Sequence, residues 1–473
     1  MPFSSSWRPE TSWLELGEGF ADVVQSQQFP QHVLRYRNQR WATRVGLQDL
    51  TPEEWEVHFA ALQPLPGSVP ERLALRYHGH QFRQFNPQLG DGRGFLLAQM
   101  RDDTGRLLDF GTKGSGRTPW SRGGDGRLTL KGGVREILAT EMLEAQGVYT
   151  SKSFSLFETG ESLYRGDEPS PTRSSVLVRL GHSHVRFGTF QFHAWRKDTE
   201  RLTKLVEYCQ RHFYPEISGN IAEMSVQLLR RVCERMAALV ASWTVAGFVH
   251  GVLNTDNMCI TGESFDYGPW RWTPSMDPDF TAAYFDQTGL YSFGRQPQAV
   301  LWNLHRLADT LTFLADEKEL RAALEDFPEL YSVRLAEQTL KGLGLRYQDP
   351  DSASELADAA FMFLHRSAMS FPKFWFDWYG GMVSAGRPGA SSAEYSGADF
   401  QKFRDILATF EPERPDALQH PYFQKGNPCS MLIDEVEAIW EPIAAADDWS
   451  LLESKLDRIR EMGEALQMQP AVP

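Results

Sequence analysis

The chain has 473 residues, 41% hydrophobic and 23% charged, enough to bury a sizeable core in two or three domains. A formal net charge of −14 disfavours a broad nucleic-acid or anionic-membrane surface, since both need basic protein. No apolar run approaches a membrane span, and MPFSSSWRPE lacks the charged-then-apolar order of a signal peptide, so a cytoplasmic protein is expected.

Residues 1–70 read as a helical preamble, in which Thr51-Pro52-Glu53-Glu54 forms a capping box with proline at the first helical position. From 72 to 114 short apolar runs broken by glycine, RLALRYHGHQF, QLGDGRGFLLAQM and RLLDFGTKG, predict strands and turns. Between two of these runs lies Leu89-Gly90-Asp91-Gly92-Arg93-Gly94. Its glycines would let backbone N–H groups approach a phosphate while Arg93 adds charge, although hairpin turns use the same residues.

A strand ending in Lys113 follows, then the glycine-rich SGRTPWSRGGDGR, then a helix from about Lys131. Val134, Ile137, Leu138 and Met142 mark that helix's buried face and Gly147 stops it. Seven cations against Asp109 and Asp125 make residues 106–135 locally basic, which suits a small anion. Glu136 lies early in the helix, so glycine loop, strand lysine and helix glutamate come in the order of a kinase small lobe. There Lys113 would hold phosphate and Glu136 would hold Lys113; the plainer fate of such a glutamate is solvation near a helix N-terminus.

Further strands are predicted in FSLFE and SSVLVRLGHSHVRFGTFQFHAW. A hairpin at Gly181-His182-Ser183-His184 would bring Arg179 and Arg186 to one end of the sheet, two more cations than a kinase small lobe needs. The H-x-H pairs at 78/80 and 182/184 lack the rest of a zinc set and read as turn and hydrogen-bonding residues. Cys209, Cys233, Cys259 and Cys429 form no C-x-x-C pair and read as reduced, mostly buried thiols.

Beyond Asp198 the pattern is helical. Met224, Leu228, Val232, Met236, Leu239 and Trp243 predict one long helix over 221–246 that delivers the chain to HGVLNTDNMCITGESFDYG. His250 and Asn257 keep the spacing of a kinase H-R-D-x-x-x-x-N loop, and Asp266-Tyr267-Gly268 stands where D-F-G would. The base position is Val252, which cannot accept a proton, and Asp256 is the obvious substitute. Asp256, Asn257 and Asp266 offer the hard oxygens that Mg²⁺ prefers; equally, Asn254, Asp256 and Asn257 could build an Asx-rich turn. Later helices are expected near 334–342, 354–369, 397–409, 430–441 and 449–466. The implied fold is α+β and bilobal, protein-kinase-like, with a mixed α/β lobe over 1–198, a helical lobe over 199–473 and a nucleotide cleft between them.

YHGHQFRQFNPQLGDGRGFLLAQ, DFGTKGSGRTPWSRGGDGR, VRLGHSHVRFG and HGVLNTDNM followed by DYG closely resemble the selenoprotein O family, strongly over about residues 70–300. The resemblance implies transfer of AMP from ATP to Ser, Thr or Tyr hydroxyls of target proteins, or of UMP from UTP, with the nucleotide reversed relative to a kinase. It implies nucleotide contacts from Gly90, Gly92, Arg93, Lys113, Asp125, Gly126, Arg179, Arg186 and Asp266. It also implies Mg²⁺ or Mn²⁺ on Asn257 and Asp266, Asp256 as proton acceptor, and Glu136 as partner of Lys113. The chain departs from the family at Phe82-Arg83, where Phe-Gly is more usual, and in a C-terminal QMQPAVP without cysteine, which speaks against a redox switch there. A non-catalytic ATP-binding scaffold and a kinase with its base moved to Asp256 are the competing readings.

Overall fold

In the computed structural model, which describes residues 4–166 and 168–468, strands dominate as far as Gly181 and helices follow. The strands are β1 (Pro9–Glu10), β2 (Ala21–Val24), β3 (Val33–Arg37), β4 (Arg72–Leu75), β5 (Gly79–Gln81) and β6 (Gln84–Asn86). Then come β7 (Leu96–Arg101), β8 (Leu107–Lys113), β9 (Leu128–Thr129), β10 (Lys152–Leu163) and β11 (Thr172–Gly181). Except for the separate β5–β6 hairpin, they form one sheet in the order β2-β4-β7-β8-β11-β10-β3, with β1 beside β7 and β9 beside β11. Every pairing in it is antiparallel.

Both faces of this sheet are covered, and alternation along the strands decides which side chain goes where. Leu107, Leu156 and Leu177 enter a core with α3 (Leu130–Ala145) and the helices beyond it. Leu108, Phe110, Phe154, Phe157, Val176 and Val178 enter a second core on the other face. That second face is closed by α1 (Gln39–Arg44) and α2 (Pro52–Phe59), whose Trp55 stacks on Phe154 at 5.0 Å and whose Phe59 meets Phe110 at 5.5 Å. The α2 capping box expected from sequence is present, Thr51 and Glu54 each bonding the other's backbone.

The N-terminal segment corrects one expectation. Residues before 70 are not a helical preamble: they supply β2 and β3, the two outermost strands of the sheet, as well as β1. Their strand character comes from pairing with β4 and β10, a tertiary contact that local propensity does not encode. A second correction falls at 181–186, where β11 does not turn back as a hairpin but runs into α4 (Phe187–Trp195).

After α5 (Thr199–Phe213), α6 spans Ile221–Ala246, the predicted bounds, capped by Asn220 and stopped by Gly247 at φ +72°. The later expected helices appear as Phe327–Gly342, Pro350–Ser367, Ala398–Leu407, Ile433–Ala446 and Ser450–Leu466. The last packs on α3, so the chain's end buttresses the helix that carries Glu136. The four cysteines are buried and free. No described helix is long and apolar enough to cross a membrane. The final five residues of QMQPAVP lie outside the described residues.

Phe154 contacts Trp55, Phe59 and Phe110 and is wholly buried. Phe154→Ala should lower unfolding free energy by about 3–5 kcal/mol, read by urea denaturation. A loss below about 1 kcal/mol would mean that the α2 side of the sheet repacks freely.

Candidate active site

The site begins with strand register. Gly111 of β8 lies opposite Arg179 of β11, and Lys113 lies opposite Leu177. Opposed residues share a face, as do residues two apart, so Lys113 and Arg179 both project towards α3. Glu136, in the second turn of α3, is fully buried rather than solvated, and its Oε1 accepts a hydrogen bond from Lys113 Nζ. Gly111 has to lack a side chain because a Cβ there would lie 2.2 Å from His184 Nε2.

A second chain segment brings the opposite charge. Asp266 Oδ1 accepts from Lys113 Nζ at 2.8 Å and from Arg179 Nη1 at 3.0 Å. Its Oδ2 lies 3.8 Å from Arg186 Nη1. Burial opposes ionisation of Asp266, yet the charges of Lys113, Arg179 and Arg186 outweigh it and hold the carboxyl well below the usual range. The residue is held at φ +64°, a conformation that costs a non-glycine residue about 1 kcal/mol. His250 and Tyr267 secure it from either side: His250 Nε2 bonds Phe265 O at 3.0 Å, and the Tyr267 hydroxyl donates to Ser264 Oγ at 2.8 Å.

Arg186, the residue before α4, gathers the third group. Its Nη1 donates to Asp256 O at 2.9 Å, its Nη2 lies 3.4 Å from Asp91 Oδ1, and its guanidinium sits 4.4 Å from the Tyr77 ring centre. Burial pushes the Asp256 carboxyl up to about 6, with Arg186 opposing the shift and Asp266 adding to it. Asp256 occupies the short helical turn Thr255–Asn257, and Asn257 Nδ2 donates to Val252 O at 3.0 Å, so the amide nitrogen serves the turn. Asn254 serves the architecture instead, its Oδ1 accepting from Phe82 N and the Tyr291 hydroxyl. The turn expected from the Asx residues is therefore present.

Several buried polar atoms here have no partner among the described residues: Asp256 Oδ1, Glu136 Oε2, Arg179 Nε and Arg186 Nε. Buried polar groups in native proteins are normally satisfied, so a cluster of exceptions indicates a ligand position. Asn257 and Asp266 offer the hard oxygens that a divalent cation takes, although among the described residues no group of three or more His, Cys, Asp or Glu side chains is placed to hold one.

The predicted phosphate-side residues separate into two roles. Arg93 and Lys113 line a cavity of about 230 Å³ together with Arg127, Arg135 and Arg165, against the single acid Glu168. Gly90 and Gly92 are required by packing: Cβ atoms there would lie 2.4 Å from the Trp120 ring and 2.8 Å from Trp120 O, so the two glycine loops interlock. Gly126 is at φ +72°, and a Cβ there would lie 2.2 Å from Gly116 O. Asp125 does not line the cavity; it is joined to it through Arg165 Nη1 at 2.8 Å and the Arg127 N–H at 2.9 Å. The H-x-H histidines have local partners, among them Gln191 for His80 and Tyr149 for His182.

Asp91 and Arg165 escaped the sequence reading. Asp91 stood inside the quoted glycine cluster, and its flanking glycines were its only signal. Arg165 lies in the β10–β11 connection, where no pattern marks it.

The chain belongs to the protein adenylyltransferase SelO family, whose model matches residues 5–460. Among individual proteins, it is 44% identical over 450 residues to the protein nucleotidyltransferase YdiU of Synechocystis sp., covering 92% of this chain and 94% of that one. The proteins of the same name from Trichormus variabilis and Gloeobacter violaceus are each 42% identical, over 92% and 95% of this chain and 92% and 94% of their own lengths.

Because Lys113 and Glu136 bond directly, their losses should not add. Each alanine variant should weaken ATP binding, and the double variant should be less than additive by about 0.5–3 kcal/mol in calorimetric titration. Full additivity would mean that the glutamate does not act through the lysine.

Glu263 offers a pH test on the same segment. Its Oε2 accepts the His182 N–H at 2.9 Å, and burial pushes its carboxyl up from 4.5 to about 7. A carboxyl raised on folding contributes stability that is complete below its unfolded pKa and is lost as pH climbs through the folded one. Stability of the metal-free and nucleotide-free protein should fall accordingly between about pH 4.5 and 7. Glu263→Gln removes that titration, so its stability relative to the natural protein should rise by roughly 1–3 kcal/mol from about pH 5 to pH 8 in urea denaturation. A constant difference would show the carboxyl ionised throughout.

Proposed function

We propose that the chain is a bilobal, kinase-like protein nucleotidyltransferase that moves AMP from ATP to a Ser, Thr or Tyr hydroxyl of a target protein and releases pyrophosphate. Residues 1–198 form the nucleotide-holding lobe and 199–473 the helical lobe with the catalytic loop. The carrying observation is the pairing of an orphaned, buried carboxylate oxygen, Asp256 Oδ1, with Arg186, Arg179 and Lys113 gathered on Asp266. The names of the relatives support a protein acceptor.

Each residue's task follows from its surroundings. Asp256 is ionised at neutral pH yet close enough to its pKa to accept a proton, so Oδ1 takes the acceptor hydroxyl's proton as oxygen attacks the α-phosphorus. Lys113, Arg179 and Arg186 exchange the Asp266 carboxylate for oxygens of the outer phosphates and balance the charge that gathers on departing pyrophosphate. Gripping those two phosphates directs reaction to the inner one. Arg93, Arg127 and Arg165 extend the positive wall along the cavity. Asn257 and Asp266, relieved of its ion pairs, would hold Mg²⁺ or Mn²⁺, which when bound neutralises phosphate charge. UTP is the alternative donor.

The test is the fate of label. With Mg²⁺ or Mn²⁺ and a protein acceptor, ATP labelled at the α-phosphate should mark the acceptor and ATP labelled at the γ-phosphate should not. Retention of γ-label would establish a kinase, and neither label with ATP bound would establish a scaffold. Asp256→Ala should lower transfer by roughly 10²- to 10⁴-fold with nucleotide binding largely kept. Asp266→Ala should abolish metal-dependent turnover.

A further inference from the structure

The turn joining β5 to β6 holds two consecutive residues in the left-handed region, Phe82 at φ +50° and Arg83 at φ +63°. Two-residue hairpin turns of this kind favour Asn-Gly or Asp-Gly, and bulky residues there are strained. A glycine at 83 would remove the strain at that position, leaving Phe82 at φ +50°, so what the strain at 83 retains is the arginine side chain. Such outliers concentrate where a side chain has to be held in place for function.

The turn is fastened to the catalytic loop. Its Phe82 N–H donates to Asn254 Oδ1 at 3.1 Å, and the His80 N–H donates to Thr255 Oγ1 at 2.7 Å. A Cβ on Gly79, in the same hairpin, would lie 2.9 Å from Asp256 Oδ1, so hairpin and base are immediate neighbours. Tyr291 ties the two again: its ring is 5.2 Å from Phe82, and its hydroxyl donates to Asn254 Oδ1 at 2.8 Å.

What this region presents to solvent is aromatic and positive. Phe82, 36% exposed, meets Phe285 at 5.9 Å, and Phe285 meets Tyr284 at 5.1 Å. Tyr284 is 81% exposed, the most of any large hydrophobic side chain among the described residues. Arg83 and Arg122 are both exposed, and neither has an ion-pair partner among the described residues. Arg122 sits at φ +47° in the glycine-rich loop, and its charge reaches Asp256. Arg83 lies against Trp302, its guanidinium 5.6 Å from the ring centre, and with Arg122 it makes this surface locally positive on a chain of net charge −14, which favours an acidic partner.

The geometry points to the Phe82-Arg83 turn, with Tyr284 and Phe285, as the docking surface for the acceptor protein. It selects a hydroxyl flanked by an acidic residue, which pairs with Arg83, and by an aromatic or large aliphatic residue, which packs on the exposed rings. This inference rests on the transfer reaction proposed above and adds the class of acceptor segment.

The test uses the full chain, ATP labelled at the α-phosphate and synthetic peptides with one central hydroxyl. The peptides differ only in Asp or Lys at one flank and Phe or Ser at the other. The Asp/Phe peptide should have the lowest KM. Arg83→Glu should raise that KM roughly threefold to tenfold and lower it for the Lys/Phe peptide, with KM for ATP unchanged. Arg83→Gly, which relieves the strain, should keep the fold and lose the acid preference. Tyr284→Ser with Phe285→Ser should raise KM for the Phe peptides and not for the Ser peptides.

Equal KM values across the peptides, or variants that shift all four alike, would overturn the docking surface. So would a changed sedimentation coefficient in the Tyr284/Phe285 variant with KM unaltered, which would mark the patch as a contact between copies. Pyrophosphate release without peptide separates the two levels. If it proceeds while no peptide is labelled, the docking surface falls; if it is absent under every condition, the transfer reading falls instead.

Discussion

A partly buried carboxylate held by three cations from three separate elements sets the electrostatic balance of the centre. Asp266 meets Lys113 from β8, Arg179 from β11 and Arg186 from the start of α4. Burying such charges is costly, and their mutual attraction returns that cost only when the geometry is good and the remaining atoms are bonded. Here it is returned in part: Glu136 Oε2, Arg179 Nε and Arg186 Nε have no hydrogen-bond partner among the described residues.

The rest of the fold keeps those charges where they are. The antiparallel register of β8 and β11 aims Lys113 and Arg179 at α3, and the helix Ser450–Leu466 packs behind α3. Trp120 fills the space above Gly90, so the two glycine-rich segments brace each other. The Trp120 Nε1–H also donates to Asp22 Oδ2 at 2.9 Å, which links the loop to edge strand β2.

The segment 254–257 joins two parts of the molecule. One flank faces Arg186 through the Asp256 carbonyl, and the other holds the β5–β6 hairpin through Asn254 and Thr255. Arg186 and the turn that displays Phe82 and Arg83 are thus both bonded to a run of three residues.

Much of this was legible in the chain. The apolar spacing of α6 predicted its bounds, because a long amphipathic helix with an Asn cap and a glycine stop is locally encoded. The order of Lys113, Glu136, Asp256, Asn257 and Asp266 pointed to phosphate chemistry, while a solvated glutamate and an Asx-rich turn fitted the same residues; the fold decides that Lys113 meets both Glu136 and Asp266. Sequence could not say that residues before 70 would supply both outer strands, or that Phe187–Trp195 would be helical rather than the return arm of a hairpin. Those outcomes turn on which distant segment is free to pair or pack. Nor could it say that Asp91 would lie beside Arg186, that Asp125 would spend its charge on Arg165, or that Asp256 would titrate near 6. Charge pairing and desolvation depend on through-space distance and burial, and only the folded arrangement sets either one.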